Sequence, residues 1–427
     1  MTILDGPTSI PRSYYRDDDK LEQEFHKVFG ENWLFVGHES EIPVAGDYVT
    51  RSMGPNPVIL SRTQAAGIRV MLNSCTHRGT QICKLAYGNS TTFKCGYHGW
   101  VFGSDGDLKG VPGRRALYGP DFDPSKLALR KARVETLHGL IFATWQQDAE
   151  PLKEFLGEFA WYLKALFDFF PGGMEVYAGV HNVDVRGNWK IHVENFSGDG
   201  YHLQNAHRTM FDLGVMGNQA GTVEGFVVNE PHGHSLRAQY LTDDDVPDLV
   251  IGYEQDLLDN AAGHAGEQER KFRERTTVVH GLVYPNLLLI TTAPLYFGQD
   301  AQGATAFTQL RSITPIDPHH HRVTYWSLVP KDASEEWKKK SYLYGTRQHG
   351  AASYFEADDL ENFRRIDAGM GTSVAGDAPF NYELGVGVDQ RGTPPWEGPG
   401  SIVRQDLTEA NQRNLVGRYM EQMEQES

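Results

Sequence analysis

The chain has 427 residues, 40% hydrophobic and 22% charged, an ordinary globular composition with length for more than one domain. A formal net charge of −16 argues against a broad phosphate-binding surface and hence against a nucleic-acid partner. Three cysteines exclude a disulfide framework, and no long apolar run or leader pattern stands out, so the expectation is a cytoplasmic chain with no membrane span.

Residues 17–30 place Leu21, Phe25, Val28 and Phe29 at helical spacing and end at a glycine, which predicts a helix. From 33 to 145 the texture changes. Short apolar runs at 58–60, 68–71 and 139–144 alternate with turn residues and predict a small antiparallel β domain. Two mixed pairs lie inside it: Cys75-Thr76-His77 and, after seventeen residues, Cys95-Gly96-Tyr97-His98. A Rieske-type [2Fe–2S] centre takes two cysteines on one iron and two histidines on the other. The rival is a Cys2His2 zinc site, but zinc motifs usually pair like ligands, cysteine with cysteine and histidine with histidine. Gly79, Gly96 and Gly99 flank the pairs, either to let backbone amides approach the sulfurs or as plain turn residues. Cys83 is left over and reads as a small buried filler.

Residues 151–170 form an amphipathic pattern stopped by Pro171-Gly172-Gly173, with Phe155, Phe159 and Phe167 as a core stripe. The stretch 216–266 is mixed in pattern and suggests a lid or substrate-access region. Residues 279–297, interrupted by Pro285, Asn286 and Pro294, read as buried strands. Segments 307–313 and 323–329 alternate and predict a hairpin, with His319, His320 and His321 in an exposed, Pro-rich turn that explains them better than a metal does. Helices are expected from about Ser334 and over 353–365.

A second constellation fills 188–207. His202 and His207 are five positions apart, and Asp199 precedes the first by three. On a helix Asp199 and His202 share a face, whereas five positions are about 140° of rotation. The two histidines therefore converge on one metal only where the helix ends, bends or bulges. A carboxylate from Asp358-Asp359 would complete a two-His-one-carboxylate facial triad, the open-sided set that serves non-haem Fe(II). Each member also has a plain reading as a core or surface residue, and His192 stays unassigned. The chemical argument for a metal is that an electron-delivering cluster needs an acceptor, and no other stretch is as rich in ligand types.

On these residues the chain resembles the large (α) subunit of Rieske non-haem iron ring-hydroxylating dioxygenases, of the naphthalene, biphenyl and benzoate groups. The likeness also covers Asn32-Trp33-Leu34-Phe35-Val36-Gly37-His38 and Gly46-Asp47-Tyr48-Val49, and so runs over nearly the whole length. It implies an α+β fold: a Rieske [2Fe–2S] antiparallel β domain (38–150) inserted in a helix-grip catalytic domain (151–427), to which residues 1–37 also belong. It implies that Cys75 and Cys95 hold one cluster iron and His77 and His98 the other. His202, His207 and Asp359 would bind mononuclear Fe(II), with Asp358 the alternative carboxylate. Asp199 would bridge the two centres through His202 and His98, across neighbouring subunits of a trimer, and Asn195 would lie near the iron. Asn195, Phe196, Leu203, His349 and Phe355 would line the substrate pocket, His349 standing where hydrocarbon dioxygenases carry an apolar aromatic. The implied activity is O2-dependent cis-dihydroxylation of an aromatic hydrocarbon or aromatic carboxylate. Electrons would come from NADH through a reductase and ferredoxin, and a small β subunit in an α3β3 assembly, or an α3 trimer, is expected. A Rieske monooxygenase or demethylase, and a Rieske electron carrier without oxygen chemistry, are the alternatives.

Overall fold

The computed structural model describes residues 6–65, 67–212, 223–242, 252–292, 305–388 and 393–425. The chain forms two compact units, and the smaller, Phe29–Leu152, is an insertion in the larger, which comprises Met1–Val28 and Lys153–Ser427.

The larger unit is built on one eight-stranded antiparallel sheet. Its strands are β1 (Met174–Arg186), β2 (Val223–Asn229), β3 (Ser235–Leu241), β4 (Thr276–Val283), β5 (Leu287–Thr292), β6 (Phe307–Asp317), β7 (His320–Pro330) and β8 (Ser401–Arg404). They lie in the order β1-β7-β6-β5-β4-β3-β2-β8. The strands β4 and β5 are apolar and almost wholly buried, as the run at 279–297 predicts; its end, 293–297, lies outside the described residues. The helices of this unit include α1 (Trp189–Gly198), α2 (Leu203–Ala206), α3 (Glu335–His349), α4 (Glu356–Met370) and α5 (Ala410–Glu424).

Local chemistry sets where the helices begin and end. Asn188 caps α1, its Oδ1 accepting from Lys190 N at 3.1 Å while its Nδ2 donates to the Tyr15 and Pro318 carbonyls. At the other end, Asn411 and Gln412 of α5 donate to the Ser197 and Glu194 carbonyls, satisfying acceptors that a helix terminus leaves open. Ser334 caps α3, as expected. The N-terminal helix Asp18–Lys27 brings buried Glu24 to Lys190, Trp189 and Tyr419, so a charge taken out of water meets a cation and two further donors.

Three expectations are corrected. The 151–170 helix is two helices, Leu152–Leu156 and Phe159–Phe167, although Phe155, Phe159 and Phe167 are all core. The hairpin strands run on to Asp317 and from His320, so the turn is short and His321 is not exposed. Its ring is fully buried and held by the Gly187 carbonyl at 2.8 Å. The stretch 216–266 contributes β2, β3 and the helix Gln255–Ala262 to the body of the unit. Residues 216–222 and 243–251 of that stretch lie outside the described residues.

The insert carries three small antiparallel sheets, of four, three and three strands. Its core includes Ile59, Met71, Ile82, Phe93, Trp100 and Phe102, and Cys75, Cys83 and Cys95 lie in the same apolar cluster. Burial pushes the Cys83 thiol up to about 12, consistent with an inert packing role.

Candidate metal centres and pocket

In the insert, two loops present the mixed pairs. One follows the strand Gly67–Leu72; the other joins Thr92–Lys94 to Val101–Gly103. Both close in the same way: Gly79 N donates to Cys75 O and Gly99 N to Cys95 O, and both glycines take a positive φ, near +73° and +72°. This repeated turn aims amides at the sulfurs, those of His77 and Arg78 at Cys75 and those of Tyr97 and His98 at Cys95. The loops then pair like with like. The two thiols are within hydrogen-bond reach of each other, and the His77 and His98 rings lie 4.5 Å apart. His77 stacks on buried Trp100 at 4.8 Å, while His98 is exposed. Two sulfurs together, two imidazoles together and amides directed at the sulfurs are what a Rieske cluster requires of its protein.

In the larger unit, α1 ends at Gly198. With φ +134°, a Cβ there would come within 2.5 Å of Asn411 Nδ2 and 2.7 Å of Arg237 Cβ, so only glycine fits the bend. Asp199 follows as the C-cap, and His202 and His207 then flank α2 at its two ends. The irregularity that the five-residue spacing demands is that this helix is one short turn ending at His207. Asp199 and His202 do not share a helix face as the spacing suggests. They meet across the bend, with Asp199 Oδ2 3.3 Å from His202 Nδ1 and Oδ1 accepting from the Tyr201 and His202 amides. Burial opposes charge on Asp199, but its hydrogen bond to His202 and the amides outweigh this and hold its carboxyl below the usual range.

The Nε2 atoms of His202 and His207 lie 3.2 Å apart, and Asp359 Oδ1 on α4 lies 3.5 and 3.4 Å from them. Three donors bonded to one octahedral ion at right angles, with bonds of about 2.1 Å, would stand about 3.0 Å apart. Two imidazole lone pairs facing each other beside a carboxylate repel unless a cation lies between them, so the residues fit a mononuclear metal. Asp358 takes the other side of His207, 3.3 Å from Nδ1. Asn195 Nδ2 lies 3.4 Å from His202 Nε2 and 3.5 Å from Asp359 Oδ1, beside the three donors.

A cavity opens on this triad. Asn195, Phe196, Leu203, His349 and Phe355 all line it. Arg237, Val278, His280 and Thr292 line it too and were not foreseen. They come from β3, β4 and β5, where period-two alternation marks burial but not which face carries a pocket. Arg237 is paired with Asp406. Burial, then the charge on Arg237, pushes His280 well below the ordinary histidine range; burial does the same for His349. Both rings are held toward the neutral form.

Behind the cavity, His192 and His321 belong to a buried relay that spacing did not reveal. His321 Nδ1 donates to the Gly187 carbonyl, so its Nε2 accepts from His192 Nδ1 at 3.0 Å. The remaining His192 nitrogen faces Arg311 at 3.4 Å. Arg311 donates to Glu356 Oε1 at 3.0 Å, lies 2.8 Å from Oε2, and covers the Phe196 ring at 3.9 Å. Glu356 is one turn before Asp359 on α4. Glu230, His232 and His234 also cluster. Both ring nitrogens of His234 are already committed, to Phe155 O and Tyr284 N, so that group is structural.

Together, an insert shaped for a Rieske cluster and a sheet unit with an open-sided two-His-one-carboxylate set define a two-centre oxygenase. Comparison with known proteins agrees. Residues 32–128 match the Rieske [2Fe-2S] domain, and residues 174–390 match the catalytic domain of the ring-hydroxylating alpha subunit. The chain is 31% identical over 408 residues to the large oxygenase component of a naphthalene 1,2-dioxygenase system from Pseudomonas putida, covering 94% of this chain and 89% of that one. It is 31% identical over 417 residues to biphenyl 2,3-dioxygenase subunit alpha of Rhodococcus jostii, covering 96% and 87%. The N,N-dimethyl phenylurea N-demethylase subunit alpha of a Sphingobium is 30% identical over 427 residues, covering 97% and 91%. The crystal structure of naphthalene 1,2-dioxygenase from a Rhodococcus, bound to indole, superposes with a TM-score of 0.91 at 33% identity, covering 97% of this chain and 94% of that one. The chain belongs to the ring-hydroxylating alpha-subunit family and is a Rieske non-haem iron oxygenase. Its cofactors are a Rieske [2Fe–2S] cluster, which rules out the zinc reading of the mixed pairs, and a mononuclear iron. No helix among the described residues is long and apolar enough to cross a membrane.

Proposed function

We propose that this chain is the terminal oxygenase α subunit of a multicomponent dioxygenase that cis-dihydroxylates an aromatic ring, with NADH as the electron source through a reductase and ferredoxin. The observation that carries this reading is the triad itself. Three donors converge on one side only, and the cavity opens on the other. Cys75 and Cys95 hold one cluster iron and His77 and His98 the other; His202, His207 and Asp359 hold the mononuclear iron. The cluster domain is assigned to the insert, Phe29–Leu152, a little wider than the expected 38–150, with the larger unit forming the catalytic domain. When bound, the two groups supply one-electron transfer and O2 activation.

The chain's own residues orient and exclude. Asp358 takes the Nδ1–H of His207, and Asp199 lies 3.3 Å from His202 Nδ1, which leaves the Nε2 lone pairs of both histidines aimed inward. Phe196, Leu203 and Phe355 give the ring an apolar bed and keep water from the reacting edge. Asp199, at the bend, also serves as the bridge to His98 carried by a neighbouring subunit, which calls for an α3 or α3β3 assembly with a small β subunit. The test is turnover of an aromatic panel in labelled O2 with a ferredoxin–reductase pair. Two labelled oxygens in a cis-diol are expected. The likeness to an N-demethylase subunit supports a second reading, for which a dealkylated product would be decisive.

A further inference from the structure

The cavity that holds the triad is not uniformly apolar. His349 stacks on Phe355 at 5.0 Å, and Phe355 in turn packs edge-on to His207 at 5.1 Å, so His349 lies across one aromatic ring from an iron ligand. His280, on β4, stands 6.3 Å from His349 and 5.5 Å from Phe196. Both line the cavity, and neither imidazole hydrogen-bonds to any described residue, although only 8% of His349 is exposed. No ring nitrogen of either is both fully buried and without a partner.

We propose that His280 and His349 select an aromatic substrate carrying a neutral hydrogen-bonding substituent, a hydroxyl, a carbonyl or a ring N–H, which they hold across Phe355 from the triad. The inference rests on the ring-oxygenating reading above and narrows its substrate class. A bare hydrocarbon would desolvate two imidazoles and offer neither a partner. A carboxylate would need a cation, and the one cationic residue among the described lining is already paired with Asp406. A neutral imidazole both donates and accepts, so it satisfies a hydroxyl without adding charge. Sites built around such a bond discriminate strongly against analogues that lack the group.

Anaerobic calorimetry of the iron-loaded holoenzyme with naphthalene, 2-naphthol and 2-naphthoate tests this. The wild type should bind 2-naphthol at least about 10-fold more tightly than either of the others. His280→Leu with His349→Phe should abolish the preference while keeping naphthalene binding, which also shows that the variant is folded. His280→Gln and His349→Gln, which keep a hydrogen-bonding group, should retain most of it. Naphthalene or 2-naphthoate binding the wild type as tightly as 2-naphthol, or a preference surviving the double change, overturns the proposal. Labelled-O2 turnover separates the two layers. Labelled ring products without naphthol preference remove the substrate class alone; naphthol preference without ring oxygenation removes the reaction alone.

Discussion

Asp358 and Asp359, neighbours in the chain, sit on opposite edges of the His207 ring: Asp358 lies 3.3 Å from Nδ1, and Asp359 3.4 Å from Nε2. One successive pair on α4 thus supplies both an inward donor and the carboxylate that orients the ring receiving it. Asp359 is buried and Asp358 is half exposed, in keeping with the two roles.

That division predicts different losses. Asp359→Ala and His202→Ala should each lose the mononuclear iron while the visible spectrum of the cluster persists. Asp358→Asn should keep the site but weaken iron affinity by about 10- to 100-fold, the usual consequence of losing an orienting partner. Iron per chain and optical spectra read this directly. Equal iron loss in Asp358→Asn and Asp359→Ala would remove the distinction.

Asp199→Asn should keep both iron centres and lose most turnover. Its carboxylate orients His202 from the bend after Gly198 and is the proposed link to the cluster. A variant that hydroxylates at the normal rate would show that Asp199 is no bridge.

The Arg311–Glu356 pair is buried, with both side chains at most 1% exposed. Removing one partner leaves an uncompensated charge, so Glu356→Ala should destabilise the protein by about 3–5 kcal/mol in urea unfolding. Replacing both with Met should recover much of that loss. A single change costing under about 1 kcal/mol would show that the pair does not hold α4 in place.

Burial raises the Glu194 carboxyl from its ordinary 4.5 to about 7, against the opposing hydroxyls of Tyr15 and Tyr382. Between those values the unfolded chain releases the proton and the folded chain keeps it. The stabilisation is therefore complete below about pH 4.5 and lost as pH rises to about 7. Glu194→Gln should flatten this decline by up to about 3 kcal/mol, seen as a smaller shift in urea midpoint between acidic and neutral pH. An unchanged slope would place the titration elsewhere.

Much of this protein was legible in one dimension. The mixed Cys-x-His and Cys-x-x-His pairs sit in short loops, where spacing alone limits what can converge. The H-x4-H interval required a helix that ends, bends or bulges, and α2 ends at His207. Reading His319, His320 and His321 as one exposed turn failed because a hairpin can extend by several residues, and alternation then sends His321 into the core. Arg237 and His280 were silent for a related reason. A strand's pattern tells inside from outside, but not which inward residue faces a cavity.

The sequence by itself determined the ligand types, their pairing and the need for a bend, because these depend on chemistry and on spacing within one segment. Only the tertiary structure decided that Asp359 points inward while Asp358 stands behind His207, and that two neutral imidazoles share the cavity. Those outcomes depend on how α4 and the β4 strand, far from α2 along the chain, pack around one point, and local spacing carries no information about that.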